Sequence, residues 1–422
     1  MATLPAQPMH VVHFHKATRK HGLQLTAFRY PYYRRFWVGQ LVTNVGSWMQ
    51  VVATGWLIVQ LTGSAADLGF NGAFQALPIV IFSMIGGVVA DRMDRYRLMV
   101  LTGILQTLPD VVLAVLVATG TVQVWHVFVY SLIWGSIKGL NFPARQAFVP
   151  GLVPHEAIQS AVALNSILWQ GAAVVGPLLA GLALSYWGTP SNYYINVASD
   201  VVSLATLLMI HLPPAEPQGA RAPVWRGMED GIRYVWSQPV VRALLIAVAG
   251  ISFFDRSYTQ LMPVFARDVF DVGAQGLGML LAMPAAGTIV IALFLAGGDN
   301  REHRGLEVLL ASAGLGLALI GFAASTTLWM SLILLVIVGA AATAATALAN
   351  TLLLESVSDE MHGRVMAFYM DATQGASYLG ALPVGVLAQV AGAPLAVNVS
   401  AAVSLVLVGG LAIRARALRQ TN

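Results

Sequence analysis

The chain reads as an all-α membrane protein, with twelve transmembrane helices in two pseudo-symmetric six-helix bundles. Three observations predict this. First, charged residues make up only 10% of 422 residues and the mean hydropathy is +0.71. A soluble chain of this length must present a polar outside, whereas a bilayer covers apolar surface. Second, long apolar stretches of about 20–25 residues, the length of a membrane-crossing helix, follow one another along the chain. Third, of the 23 Lys and Arg, all but Lys138, Arg256 and Arg267 fall in the tails or at every second connection. By the positive-inside rule both termini then lie in the cytoplasm and the number of spans is even.

The elements follow in order. A basic tail, 1–35, precedes the first apolar run, which starts near Phe36. No cleavable leader is read there, so the first span is expected to be an uncleaved anchor. The first bundle, 36–212, holds spans at 36–60, 66–90, 97–119, 122–145, 158–187 and 190–212. All are expected to be helices, because an isolated strand leaves its backbone unsatisfied in lipid. Outer connections are very short, as at Thr119-Gly120-Thr121 and Gly188-Thr189-Pro190. The longest connection is the cytoplasmic linker, 213–240. It opens Pro213-Pro214-Ala215-Glu216-Pro217, which cannot be helical, and then runs from Trp225 to Trp236 with an amphipathic pattern that predicts a helix on the inner membrane face. The second bundle, 241–413, holds spans at 241–266, 274–298, 305–325, 327–350, 362–390 and 393–413, and a basic tail, 414–422, closes the chain. Cysteine is absent, which excludes disulfides and thiol catalysis. The net charge of +4 reflects inner-face arginine and does not point to nucleic acid.

The two bundles look duplicated. Val153–Leu182 aligns without gaps on Val357–Val386, placing Glu156 on Glu360, Gln170 on Gln374, Gly171 on Gly375, Gly176 on Gly380 and Gly181 on Gly385. Ala65, Leu68 and Gly69 match Ala274, Leu277 and Gly278. Two like-oriented halves imply a transporter with a site between them.

Three segments then resemble the major facilitator superfamily, in the branch of enterobactin exporters and macrolide efflux pumps, and the resemblance covers nearly the whole chain from Phe36. The first is Gly86-Gly87-Val88-Val89-Ala90-Asp91-Arg92-Met93-Asp94-Arg95-Tyr96-Arg97, between spans two and three, with Asp94 where the superfamily usually has glycine. The second runs from Phe142-Pro143-Ala144-Arg145 through Pro150 to Asn165-Ser166. The third, Gly176-Pro177-Leu178-Leu179-Ala180-Gly181, is similar to a motif of proton-coupled exporters; its counterpart in span eleven has Ala381 in place of the proline. The resemblance implies a cytoplasmic gate built from Gly87, Asp91, Arg92, Arg95, Arg97 and Arg145. Asp91 there can accept from Arg92 or Arg145 and face the positive end of span eleven. It also implies a working bend in span five, where Gly171, Gly176 and Gly181 admit close packing and Pro177 removes a backbone bond.

Charges inside the membrane are expensive, so they mark function or demand partners. Asp255 and Arg256 lie near the middle of span seven, about 100° apart around the helix, so they do not simply cancel. Asp255 and Asp371 are the proton-coupling candidates. A Lys138–Asp255 pair is strained, since counting 1.5 Å per residue puts their depths roughly 10 Å apart. Asp110 and Asp200 lie on spans three and six, which the resemblance makes peripheral, and are read as interhelical hydrogen-bonding groups. A polar stripe on span one (Gln40, Asn44, Ser47 and Thr54, with Gln50 beside it) faces protein or water. With Trp48, Trp134, Lys138, Phe254, Arg256, Tyr258, Thr343, Thr346 and Asn350 it outlines a substrate path for an amphiphilic molecule.

Other chemistries are excluded. His10, His13 and His15 lack acidic or Cys partners and are read as a solvated tail, so no metal is expected. There is no G-x-x-x-x-G-K-[ST] for ATP, and His155-Glu156-Ala157-Ile158-Gln159 lacks the second His of a zinc protease. No cofactor and no enzymatic site are expected. The expected protein is a monomeric, multi-pass cell-membrane transporter working by alternating access, coupled to protons and exporting a small amphiphilic drug, siderophore or metabolite. The alternatives are nutrient uptake by uniport or proton symport, and a transporter-like sensor or scaffold without flux.

Overall fold

The computed structural model describes residues 25–92, 94–210, 224–296, 304–358 and 361–414. Among these residues the secondary structure is entirely helical. The helices are α1 (Pro31–Thr62), α2 (Ala65–Arg92), α3 (Arg95–Ala118), α4 (Val124–Phe148), α5 (Ile158–Trp187) and α6 (Thr189–Leu208). The amphipathic α7 (Val224–Ser237) follows. Next come α8 (Pro239–Gly250), a π-helical turn at Ile251–Asp255, a 3-10 stretch at Arg256–Leu261, the short α9 (Met262–Val264) and a second π turn at Phe265–Val269. The remaining helices are α10 (Gly273–Ala296), α11 (Arg304–Ala324), α12 (Leu328–Ser356), α13 (His362–Met370), α14 (Ala376–Ala391) and α15 (Ala393–Arg414). Another π turn, Asp371–Gly375, joins α13 to α14.

Among the described residues seven helices are long and apolar enough to cross a membrane, or eight if the bent pair ending in Pro239–Val269 is counted as one span. The helices that miss this measure do so for a physical reason. α1 carries Arg34, Arg35, Gln40, Asn44 and Gln50; α4 carries Lys138, Asn141 and Arg145; α6 carries Asn192, Asn196 and Asp200. The π turn at Asp371–Gly375 leaves α14 only 16 residues. Polar side chains are concentrated where they have helical neighbours to meet.

The outer surface is apolar. Leu108, Leu293, Phe294, Val390 and Val406 are all more than 60% exposed, as suits lipid and not water. Trp125 at the start of α4, Tyr186 and Trp187 at the end of α5, and Trp329 at the start of α12 are exposed at one membrane face, the position of an aromatic belt.

Two crossings join the first six helices to the later ones, α5 on α10 and α2 on α14. Both depend on glycine. A Cβ on Gly181 would lie 2.8 Å from the carbonyl oxygen of Ala274, and one on Gly278 would lie 3.1 Å from Cα of Gly181. A Cβ on Gly385 would lie 2.8 Å from the carbonyl oxygen of Ala65 and 2.9 Å from Cα of Gly69. Gly181 and Gly385, and likewise Gly69 and Gly278, are the residues that the internal alignment makes equivalent. Small residues of this kind let helix backbones approach closely in lipid.

Local sequence sets several helix ends. Pro31 occupies the first turn of α1, and Gly63 ends that helix at φ 64°, a left-handed conformation glycine adopts without strain. Asp94 caps α3 by accepting from the Arg97 amide at 3.1 Å. That role accounts for a carboxylate at the position where the resemblance expects glycine. α7 runs alongside α13, where Gly231 leaves room for the Phe368 ring and the Tyr234 hydroxyl accepts from the Ser358 amide at 3.3 Å.

Candidate functional site

The polar residues of α1, α3, α4 and α6 enclose a cavity of about 90 Å³ within the first six helices. Its wall includes Gln40, Thr43, Ser47 and Gln50 from α1, Gln106 and Asp110 from α3, Trp134, Lys138, Asn141 and Arg145 from α4, and Asn196 and Asp200 from α6. The polar face of α1 therefore turns toward its own bundle neighbours.

Asp110 is 1% exposed and accepts three hydrogen bonds. Gln50 donates to Oδ1 at 2.9 Å, the Tyr130 hydroxyl to the same oxygen at 2.6 Å, and Gln106 to Oδ2 at 2.9 Å. Asp200 accepts from the Thr43 hydroxyl at 3.0 Å and from Asn196 at 3.4 Å. Both carboxyl groups line the same cavity. Lys138 places its ammonium 5.0 Å from the centre of the Trp134 ring, and Arg145 stacks its guanidinium 4.8 Å from the Trp169 ring on α5. Aromatic faces stabilise such cations where water is scarce.

The other residues singled out in the sequence are distributed as follows. Asn44 donates to the Gln40 carbonyl of its own helix at 2.6 Å, and Thr54 meets the Tyr193 hydroxyl of α6 at 3.3 Å. Trp48 packs into the space left by Gly176 on α5. Gly171 faces open space. Asp255 is 1% exposed and accepts from the Ser404 hydroxyl of α15 at 2.6 Å; it and Lys138 lie in different halves, and among the described residues no ion pair joins them. Phe254 packs edge-on against Phe253, and Tyr258 against Phe322 of α11. Thr343 pairs with Thr288 of α10 at 2.7 Å, and Thr346 bonds the Ala342 carbonyl of its own helix at 2.8 Å. Asn350 keeps a buried Oδ1 without a partner among the described residues. Arg97 is exposed and Arg95 makes contacts of its own. Gly87, Asp91 and Arg92 lie on the last turns of α2, but the side chains of Asp91 and Arg92, like those of Arg256 and Asp371, fall outside the described residues. So do His10, His13 and His15.

Sequence reasoning set Asp110 and Asp200 aside as peripheral and did not pair them. One signal could have joined them. Each is preceded four residues earlier by an amide, Gln106 and Asn196, and each amide binds its aspartate along the helix. An amide–carboxyl pair at that spacing marks an aspartate held in place on a helix face.

An all-helical chain with apolar outer faces, glycine crossings and a buried polar chamber belongs to the class of polytopic membrane transporters. A family model described as transmembrane secretion effector matches residues 23–422, and the chain belongs to that family of the major facilitator superfamily. It is similar to macrolide efflux protein A of Streptococcus pyogenes, at 23% identity over 83% of this chain and 86% of that protein. It is also similar to an enterobactin exporter of Shigella boydii, at 24% identity over 93% of this chain and 94% of that protein. A bacterial homologue of the human lysosomal transporter Spinster, in an inward-facing and unoccupied conformation, shares the fold with a TM-score of 0.73 and 15% identity, covering 92% of this chain and 98% of that one.

Proposed function

We propose that the chain is a proton-coupled exporter of small amphiphilic molecules, such as a drug, a siderophore or a metabolite, working by alternating access. In this reading twelve spans form two six-helix bundles, 36–212 and 241–413, joined by the linker 213–240. Both termini are cytoplasmic, in a monomer of the cell membrane.

The observation that carries the reading is the pair of equivalent glycine crossings, Gly181 with Gly278 and Gly385 with Gly69. Two tight backbone contacts related by the internal repeat give two bundles an axis to rock about. All four glycines lie toward one membrane face, the one that carries the 62–65 connection. Contacts concentrated at that face support a state closed there and able to open at the other. With cytoplasmic termini the closed face is external. Gly87, Asp91, Arg92, Arg95, Arg97 and Arg145 then form the cytoplasmic gate. The substrate path runs between the bundles; Gln40, Asn44, Ser47, Trp48, Trp134, Lys138, Phe254, Arg256, Tyr258, Thr343 and Asn350 are the lining that the sequence singles out, of which Gln40, Ser47, Trp134 and Lys138 stand at the small cavity within the first six helices in this conformation. Gly176, Pro177 and Gly181 supply the bend of span five, and Gly171, singled out with them in the sequence, faces open space and takes no part in the close packing. Intramembrane carboxyl groups carry the proton, and Asp255 and Asp371 are the coupling candidates that the sequence singles out. The export direction rests on relatives named for efflux and export.

The test is reconstitution in liposomes loaded with a pH-sensitive dye, with an imposed proton gradient and a panel of macrolides and siderophores added on the cytoplasmic side. Proton movement triggered by one compound establishes antiport. Compound flux without proton movement replaces coupling by facilitated transport. Failure of every compound to move, in protein that binds one of them, would turn the reading to a sensor.

A further inference from the structure

We propose that Asp110 and Asp200 together form a proton-binding site inside the first six helices, with one proton shared between the two carboxyl groups. We further propose that this pair, facing Lys138 across the cavity, is where the transport cycle takes up its proton. This second step rests on the transporter reading; the first does not.

Size decides what the cavity can hold. About 90 Å³ accommodates a few water molecules. Pockets for drug-sized molecules occupy about 300–1,000 Å³. A macrolide or a siderophore does not fit, and a proton with its water does.

Hydrogen-bond accounting gives the proton its place. Gln50, Tyr130 and Gln106 all donate to Asp110, Gln50 donates to the Tyr130 hydroxyl as well, and Thr43 and Asn196 serve Asp200. Both carboxyl groups line the one cavity, yet an ionised carboxylate only accepts. A bond between them therefore needs one proton. The surrounding amides add to the surplus of acceptors. Gln40 Oε1 and Asn196 Oδ1 are buried at the cavity without a partner among the described residues, and their residues are 8% and 2% exposed. Buried oxygens without donors are rare in folded proteins, and here they face a chamber able to admit protonated water.

The charges around the pair complete the device. Lys138 and Arg145 on α4 line the same cavity, but each is held on a tryptophan face, and among the described residues neither makes an ion pair with Asp110 or Asp200. Tyr130 of α4 bonds Asp110, and Tyr193 of α6 bonds Thr54. α4 packs on α2 through Gly135 and Gly139, and α2 makes one of the two crossings to the second half. A rocking motion at that crossing reaches α4 directly. A Lys138 ammonium brought from Trp134 to Asp200 would take the place of the shared proton.

Infrared spectroscopy of the purified protein in lipid tests the first step without any substrate. The wild type is expected to show the carbonyl stretch of a protonated carboxyl group at neutral pH, shifted in D2O. Asp110→Asn and Asp200→Asn should each abolish it, while Asp255→Asn leaves it in place. Thr43→Val, which removes only a donor to Asp200, should move the band, whereas Ser404→Ala should not; this comparison stands even if an aspartate variant fails to fold. A band that survives both aspartate changes, or that ignores Thr43→Val, overturns the site. For the second step, a labelled macrolide is followed in proteoliposomes. Asp110→Asn and Asp200→Asn should keep exchange of the macrolide across the membrane and lose its gradient-driven accumulation. Intact accumulation in a variant that has lost the band removes the pair from coupling. If the wild type moves no macrolide and no siderophore, the transporter reading fails while the infrared result stands.

Discussion

Nη1 of Arg267 donates to the carbonyl oxygen of Val59 at 2.9 Å, and Nη2 reaches the carbonyl oxygen of Gly63 at 3.4 Å. Arg267 is the one cation in an odd-numbered connection, and it caps the C-terminus of α1, where unsatisfied carbonyls and the helix dipole favour positive charge. Asp268 holds the guanidinium in place, and its hydrogen bond pushes the Arg267 pKa above the ordinary arginine range. The cation is thus present throughout the neutral range and would be lost only as pH rose past that raised value. The link joins the first half to the second at the face that carries the 62–65 connection, and is expected to act there as a latch. On the same face Gln389 of α14 accepts from the amide of Ala65 at the start of α2, at 2.7 Å.

Arg267→Gln is therefore expected to loosen that face. The guanidinium is partly exposed, so a charge-assisted hydrogen bond is discounted to about 1 kcal/mol, or roughly fivefold in an opening equilibrium. The absence of native cysteine makes the measurement direct. In an Ala65→Cys background the thiol is buried, and Arg267→Gln should raise its labelling rate by a membrane-impermeant maleimide, with no change between mildly acidic and mildly basic pH beyond the thiol's own titration. An unchanged rate would show that Arg267 does not hold the face closed.

The glycine crossings yield a paired prediction. Gly181→Val and Gly385→Val each put side-chain atoms against backbone, which cannot move aside as a flexible side chain can. Overpacking of this kind costs about 1–3 kcal/mol. Both variants should favour the state open at the 62–65 face and raise labelling of the Ala65→Cys thiol, with loss of flux. Gly171 has nothing within 4 Å of the corresponding Cβ, so Gly171→Ala should fold and transport normally. Thermal stability in detergent and labelling rates together separate a shifted equilibrium from simple unfolding. A Gly171→Ala defect as large as the other two would mean that spacing, and not contact, governs span five.

Much of this architecture is legible because lipid imposes it. The run 158–187 carries no charged residue and is predominantly apolar, and α5 occupies Ile158–Trp187. The amphipathic stretch Trp225–Trp236 lies within α7, since a strong one-sided pattern leaves a helix little choice of orientation. The Gly181 and Gly385 pattern also foretold close packing, because glycine in lipid has few other uses. The π turns at Ile251–Asp255 and Asp371–Gly375 were not legible. Neither segment contains proline; Ile251–Asp255 packs against α14 and α15, and Asp371–Gly375 against α2 and α8, contacts that the local sequence does not report. The meeting of Asp110 with Asp200 was not legible either. It depends on the rotation of α3 against α6, and no local rule reports that rotation. The α1 stripe told that its residues avoid lipid, but not which neighbours they meet.

Asp255 and Ser404 give the last prediction. The carboxyl group is buried, Oδ2 accepts from Ser404 Oγ at 2.6 Å, and Oδ1 has no partner among the described residues. Ser404→Ala removes the hydrogen bond to Oδ2 and leaves a buried acceptor unsatisfied, which costs about 1–3 kcal/mol. Asp255→Asn keeps an acceptor oxygen for Ser404 and removes the charge, so it should cost less than Ser404→Ala or even stabilise the fold. Thermal unfolding in detergent measures both. If Asp255 carries the transported proton, Asp255→Asn additionally loses gradient-driven accumulation while macrolide exchange continues. If it is a structural acceptor on α15, stability changes and accumulation does not. With Asp110 and Asp200 assigned to the proton, the second outcome is expected, because α15 encloses Asp255 on the side where Ser404 binds it.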